Sequence, residues 1–170
     1  TAAGGSVETP PAPLAAPVVA EPSRRALYAV TRGGELLRYA LPGLVLEARS
    51  PLGLTPRVVA AAPGPEGFVL VGGDGAQPLS ARDPGTLAEL HRYRAPEGAG
   101  AATTTAILTI PGRQRFVVGF AELPVGWEIA WNRDAPEVML GLVHDYRMGE
   151  ALPLPGRITP RPLRFGSPTR

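Results

Sequence analysis

The feature that most constrains this sequence is an internal repeat of short apolar runs that end in Pro-Gly. Residues 58–64 read VVAAAPG and residues 106–112 read AILTIPG. Three residues after each run, a second apolar run begins, at Phe68 in one copy and at Phe116 in the other. The two copies are therefore 48 residues apart. A period of roughly 40 to 50 residues, with several short strands in each period, is typical of β-propeller blades.

A fainter repeat relates residues 41–47 (LPGLVLE) to residues 83–89 (DPGTLAE), 42 residues further on. Between the repeats, 21 glycines and 21 prolines divide the chain into short apolar runs. Runs of this kind predict strands of about five residues joined by tight turns. We predict strands over residues 26–31, 35–40, 44–46, 57–62 and 67–72, with a turn at 73–75. Residues 86–92 fit a helix and a strand equally well.

These patterns predict an all-β chain that forms a partial β-propeller over residues 25–170. That length holds about three to four blades, whereas a closed propeller needs roughly four to eight. Closure would therefore require either missing blades or self-association, because an open arc leaves sheet faces and edges exposed. A compact sandwich that is not a propeller is the structural alternative. Residues 1–24, rich in Pro and Ala, are predicted to be a disordered linker or tail.

Composition excludes several classes of site. The chain contains no cysteine and only two histidines, His91 and His144, so thiolate metal sites, disulfides and covalent c-type haem are excluded. All 17 basic residues are arginines, spread along the chain against 15 acidic residues, which argues against a nucleic-acid-binding protein. No apolar run is long enough for a membrane span. No signal peptide is visible at the start of the sequence.

His144 lies in residues 141–150, GLVHDYRMGE, where an apolar run changes into polar and bulky residues before a glycine. This pattern predicts a loop that leaves a strand, and a histidine there can bind iron or transfer a proton near neutral pH. Arg147 can bind a carboxylate through two parallel hydrogen bonds. From spacing alone, a local hydrogen bond between His144 and Asp145 is the more common outcome. His91, between charged neighbours, is predicted to be a solvated residue at a strand end.

Two further groups of residues have a structural interpretation. Trp127 and Trp131 are four residues apart, so a strand places both on one face with Ile129. We predict that they pack between blades; stacking of a ring on a macrocycle is the less common alternative. The arginines near the end of the sequence, which are Arg157, Arg161, Arg164 and Arg170, are predicted to be a solvated basic tail.

Three segments resemble the haem d1-binding β-propeller family: residues 115–124 (RFVVGFAELP), residues 127–129 (WEI) and residues 141–150. The family includes the catalytic domain of cytochrome cd1 nitrite reductase and related periplasmic proteins of haem d1 biogenesis. The likeness is greater to the biogenesis members and is clearest over residues 104–160. The resemblance implies an eight-bladed propeller that holds haem d1 in its central channel, a periplasmic location and a c-type cytochrome as electron partner.

The resemblance also assigns roles to three residues of this sequence. His144 matches a distal-side histidine, which binds the iron or acts as the catalytic proton-transfer group. Arg147 matches the adjacent arginine that binds a carboxylate of the macrocycle, and Tyr146 is expected to donate a hydrogen bond in the same pocket. If the intact assembly is an enzyme, the resemblance implies an oxidoreductase that acts on nitrite or on dihydro-haem d1.

The sequence departs from the family at two positions. The second distal histidine of the reductases would fall near Pro111, and no histidine lies there. No histidine precedes His91 to serve as a proximal ligand. These departures favour a second hypothesis, in which the chain is a non-catalytic tetrapyrrole carrier or a module that binds another protein. A third hypothesis is a structural remnant in which His144 has only a packing role.

Overall fold

The structure is a computed structural model that describes residues 10, 12–121, 123–140 and 152–165. Within this part, the apolar runs form strands that combine into three antiparallel units of four strands, each of which we call a blade. The first blade contains β1 (Val19–Glu21), β2 (Ala26–Val30), β3 (Glu35–Ala40) and β4 (Val45–Pro51). The second contains β5 (Thr55–Ala61), β6 (Val69–Gly75), β7 (Leu79–Arg82) and β8 (Glu89–Tyr93).

The third blade contains β9 (Ala102–Ile110), β10 (Arg115–Phe120), β11 (Val125–Ala130) and β14 (Pro160–Arg164). A separate hairpin of β12 (Val138–Leu140) and β13 (Leu152–Leu154) lies in the chain between β11 and β14. Short bridges join β6 to β9, so the second and third blades share one hydrogen-bonded sheet. The predicted strands are confirmed, and residues 89–93 form a strand rather than a helix.

The blades are arranged as a fan, with the first strand of each blade on its inner side. β1 contacts β5, and β5 contacts β9, whereas the fourth strands of the described blades lie further from one another. This is the arrangement of propeller blades, whose first strands line the central channel. The prediction of a partial β-propeller is confirmed, and the alternative of stacked sheets in a sandwich is not observed.

The core lies between the blades because alternate residues of each strand face opposite sides of its sheet. One cluster joins the first two blades and includes Tyr28, Leu36 and Val69. A second cluster joins the second and third blades and is rich in aromatic residues, including Phe116 and Trp131. Each fully buried side chain of this size contributes about 1.5–3 kcal/mol relative to an exposed one.

The N-terminal boundary differs from the expected one. We placed the folded part after residue 24, but β1 spans Val19–Glu21 and pairs with β2. An isolated bridge between Leu14 and Thr31 extends this pairing towards the N-terminus. The edge of β2 needs a hydrogen-bonding partner, and the chain before Arg25 supplies it despite its high proline content. Residues 1–9 and 11 lie outside the described residues.

The predicted turn at residues 73–75 is instead the end of β6. A Cβ atom on Gly73 would lie closer than 3.0 Å to the carbonyl of Thr55 on the neighbouring strand. The glycine therefore permits a close approach of two strands, and the turn follows at residues 76–78. The 48-residue period also becomes 47 residues at this strand. Ala60 pairs with Leu70, and its counterpart Leu108 pairs with Val117.

Candidate functional site in the third blade

The residues assigned to the functional site, His144, Tyr146 and Arg147, lie outside the described residues. They belong to residues 141–151, which connect β12 to β13. The described residues nearest to them in the chain are those on either side of this segment. We call residues 131–140 and 152–158 the neck of the third blade, because they connect β11 and β14 to the segment that carries His144.

The neck is an insertion into a turn that the other blades keep short. In the first blade, Pro42-Gly43 precedes Leu44, which has a positive φ of 52°, and β4 follows at once. In the second blade, residues 83–88 contain Leu87 with φ of 61° before β8. In the third blade, Ile158 with φ of 72° precedes β14 in the same way. In each blade, a residue with positive φ precedes the fourth strand. The additional residues of the third blade lie between β11 and this residue, Ile158.

A positive φ costs an ordinary residue about 1–2 kcal/mol, so its recurrence needs a compensating contact. Leu87 is completely buried between the first two blades. Ile158 packs against the aromatic cluster between the second and third blades. Its backbone N–H donates to the carbonyl of Ala130 over 2.9 Å, and its carbonyl accepts from the Tyr93 hydroxyl over 2.8 Å. These contacts fix the end of the neck against the second blade.

Glu66, in the turn between β5 and β6, holds both ends of the neck. Its side-chain Oε2 accepts a hydrogen bond from the backbone N–H of Arg133 over 2.9 Å. Its backbone carbonyl accepts one from the Arg157 guanidinium over 3.0 Å. Because β5 is an inner strand, this turn lies near the inner side of the fan. The neck therefore reaches from the outer strands of the third blade to the inner side of the second.

Arg157 is the central side chain of this contact. Besides the carbonyl of Glu66, its guanidinium donates to the carbonyl of Trp131 over 3.0 Å. It also lies 5.7 Å from the centre of the Phe68 ring, within the range of a cation–π interaction. The prediction that Arg157 belongs to a solvated tail is wrong, because its donors are used by carbonyls of two blades. Arg161 likewise donates to the carbonyls of Pro136 and Glu137.

Close packing also fixes the two chains of the neck to each other. A Cβ atom at Gly156 would lie closer than 3.0 Å to the carbonyls of Ala135 and Pro136. Asn132 accepts a hydrogen bond from Arg115 over 2.7 Å, which connects the start of the neck to β10. Burial raises the pKa of Tyr93, so its hydroxyl stays protonated and remains a donor to Ile158. These contacts hold the described residues of the neck against β10 and the second blade.

The other predicted residues have structural roles. Trp127 and Trp131 both pack with Ile129 in the cluster between the second and third blades, as expected. His91 is exposed on β8, the outermost strand of its blade, and its ring contacts Tyr93 at 4.5 Å between centres. Within the part of the chain that the structure describes, no cluster of three or more metal-ligating residues occurs. In the same part, no helix has the length and apolar character needed to cross a membrane.

Sequence reasoning did not identify Glu66 or Arg157. A local signal exists for the insertion: Pro155-Gly156 before Ile158 is a third copy of Pro42-Gly43 and Pro84-Gly85. Its distance from the second copy exceeds the repeat period, so it reveals extra residues in the third blade. The contact between Glu66 and Arg157 joins residues 91 positions apart and has no local signature.

Two of the solved structures that match this arrangement are the following. The dihydro-heme d1 dehydrogenase NirN, in complex with DHE, matches 89% of this chain with a TM-score of 0.65 and 24% sequence identity. BamB from Moraxella catarrhalis matches 69% of it with a TM-score of 0.55 and 14% identity. The chain has the β-propeller fold. It spans only 28% of the NirN chain and 34% of the BamB chain. No family model and no curated protein sequence matches it.

Proposed function

We propose that this chain is part of a haem d1-associated β-propeller of periplasmic denitrification, similar to nitrite reductases or to proteins of haem d1 biogenesis. The observation that carries the proposal is the neck of the third blade. It extends from outer strands to Glu66, beside an inner strand, and it carries the segment with His144. A propeller can hold a ligand in its central channel, and we infer that the segment with His144 contributes to such a site.

The similarity of the fold to NirN supports the same proposal. NirN is a dihydro-heme d1 dehydrogenase, and the matched part covers most of this chain. The residues that resemble the haem d1-binding family lie in the third blade, which also contains the insertion. Sequence resemblance and an unusual structural feature therefore coincide in one blade.

The proposed roles follow from the chemistry of three side chains. His144 would bind the iron of the tetrapyrrole or hold a proton at a nitrogen of its own imidazole ring. Arg147 binds a carboxylate of the macrocycle through paired hydrogen bonds, and the Tyr146 hydroxyl donates a further one. The tetrapyrrole supplies redox chemistry when it is bound. The protein positions it and controls the protons around it.

The donor set of the described residues is consistent with this assignment. The other histidine, His91, lies on the outermost strand of the second blade, away from the inner side of the fan. The described residues contain no cluster of metal ligands. Within this chain, His144 is therefore the histidine assigned to the iron. If the complete protein is an enzyme, we expect an oxidoreductase that uses a c-type cytochrome as electron partner.

A second candidate function is that of a tetrapyrrole carrier without catalysis. The observation that favours it is the histidine content: the other histidine, His91, lies on the outermost strand of the second blade, away from the inner side of the fan. Reduction of nitrite requires general acids for the leaving oxygen. A carrier needs only a ligand for the iron and cations for the carboxylates.

The test is a titration of the chain with haem d1, followed by absorption spectroscopy. We expect a shift of the Soret band that is lost in His144→Ala and kept in the matched control His91→Ala. Arg147→Gln is expected to weaken binding about tenfold, the loss of one charge-assisted pair. An unshifted spectrum in the wild type, or an equal shift in His144→Ala, would contradict the proposal. Oxidation of dihydro-haem d1 or reduction of nitrite by the loaded protein distinguishes an enzyme from a carrier.

A further inference from the structure

Several clefts lie on the face of the fan opposite the neck, and two of them are lined by residues 95–98. This face contains the connections between successive blades and the turns between second and third strands. The larger cleft, of about 650 Å³, is lined by residues that include Leu54, Asp74 and Arg94. The smaller, of about 400 Å³, is lined by Pro96, Glu97, Val125, Trp127, Pro162 and Arg164.

The smaller cleft has a rigid apolar wall. Trp127 is 7% exposed, and its ring packs edge-on against Phe120 at 4.7 Å and at a tilt against Tyr93 at 5.9 Å between centres. Pro162 lies opposite Trp127 in the pairing of β11 with β14. An indole held on its buried side by two rings presents a preformed surface, which lowers the entropy lost on binding a flat apolar group.

Arg164 supplies a cation at the edge of this wall. It is exposed, and no ion pair or hydrogen bond involves its guanidinium within the described part of the chain. Arg157 and Arg161, close by in sequence, donate to carbonyls instead. Arg164 lies opposite Val125 in the strand pairing, so its base is fixed by β11. An exposed guanidinium beside an apolar cleft can donate two parallel hydrogen bonds to a carboxylate.

We propose that the smaller cleft binds a small monocarboxylate with an aromatic or aliphatic group. The apolar group packs against Trp127 and Pro162, and the carboxylate binds the Arg164 guanidinium. Glu97 lines the same cleft, so a second negative charge on the ligand would be repelled. The cleft therefore selects monocarboxylates over dicarboxylates. This proposal is independent of the tetrapyrrole assignment, because it concerns the opposite face of the fan.

The test uses phenylacetate as the probe and the indole N–H signal of Trp127 in NMR spectra as the readout. Trp127→Phe assigns that signal, since the chain has only two tryptophans. We expect a saturable shift with a dissociation constant on the order of 1 mM. Phenylacetamide, which lacks the charge, is expected to bind about tenfold more weakly. Phenylsuccinate, with a second carboxylate, is also expected to bind more weakly.

Arg164→Gln is expected to weaken binding of phenylacetate about tenfold. Arg94→Gln, which removes another exposed arginine, one that lines the larger cleft, is the matched control and should leave binding unchanged. Glu97→Gln is expected to strengthen it. Absence of a shift in the wild type would overturn the proposal, as would equal affinity of the wild type and Arg164→Gln. An effect of Arg94→Gln equal to that of Arg164→Gln would overturn the assignment to the smaller cleft.

Discussion

The two interfaces between blades differ in the side chains that fill them. Between the first and second blades, the centre is aliphatic, with Leu36, Val69 and Val71 among its completely buried residues. Between the second and third blades, the centre is aromatic: Phe68 and Phe116 lie 5.4 Å apart, and Trp131 follows at 4.9 Å from Phe116. Both interfaces exclude water, but only the aromatic one supports an insertion.

The aromatic interface explains where the neck is held. Arg157 packs over Phe68, and Trp131 begins the neck while its ring stays in the core. The first interface instead contains Arg82, which is buried and bonded to Glu89 over 2.9 Å. The two interfaces are thus built from similar strands but differ in the turn before the fourth strand. At the first interface this turn is short and lies near the Arg82–Glu89 ion pair. At the second it is the neck, which packs against aromatic side chains. We infer that side chains of the core, including Phe68 and Trp131, hold the neck in position.

The largest expected effect comes from Phe116→Ala, which removes a completely buried ring from the aromatic interface. Loss of apolar burial and the remaining cavity are expected to lower the free energy of unfolding by about 3–5 kcal/mol. Leu108→Ala on the adjacent strand is the matched control, because its side chain is 61% exposed, and its effect should stay within about 0.5 kcal/mol. Denaturant unfolding followed by tryptophan fluorescence measures both; similar losses would contradict the assignment of the core.

Features that depend on neighbouring residues were predictable from the sequence, whereas contacts between blades were not. Short apolar runs between glycines and prolines predicted the strands, because alternation and turn residues act locally. β1 was missed because prolines dominate the composition around it. A local signal exists there too: Pro22 follows the short run VVAE before β2, and Pro63 and Pro111 similarly follow apolar runs before β6 and β10.

The candidate site was predictable only in part. A third Pro-Gly copy marks the insertion, but nothing local indicates that its neck contacts Glu66 in another blade. Such a contact depends on the angle between the second and third blades. The packing of Phe68, Phe116 and Trp131 determines that angle. The roles of His144, Tyr146 and Arg147 rest on resemblance, and these residues lie outside the described part. They remain predictions.

An intermediate effect is expected from Arg157→Gln, which breaks the contact between the neck and the second blade. The variant loses two charged hydrogen bonds to carbonyls and the contact with the Phe68 ring. We expect a loss of about 2 kcal/mol in the free energy of unfolding. Arg133→Gln is the control, since that side chain is 78% exposed and should change stability by less than about 0.5 kcal/mol. Equal effects would show that Arg157 does not hold the neck.

The smallest effect is expected from Glu89→Gln at the first interface, about 1 kcal/mol near neutral pH. Arg92 and Arg82 hold the pKa of the Glu89 carboxyl below its usual value, chiefly through the hydrogen bond from Arg92. A lowered pKa in the folded state stabilises the fold above the unfolded pKa. That contribution is lost as the pH falls through the folded pKa.

The difference between the wild type and Glu89→Gln should therefore be full near pH 6 and shrink below about pH 4.5, as the carboxyl binds a proton. Phe116→Ala has no titrating group, so its loss of stability should stay nearly constant over the same range. Urea unfolding of all three proteins at a series of pH values measures this directly. A difference for Glu89→Gln that is independent of pH would mean that packing, and not charge, holds the first interface at this edge.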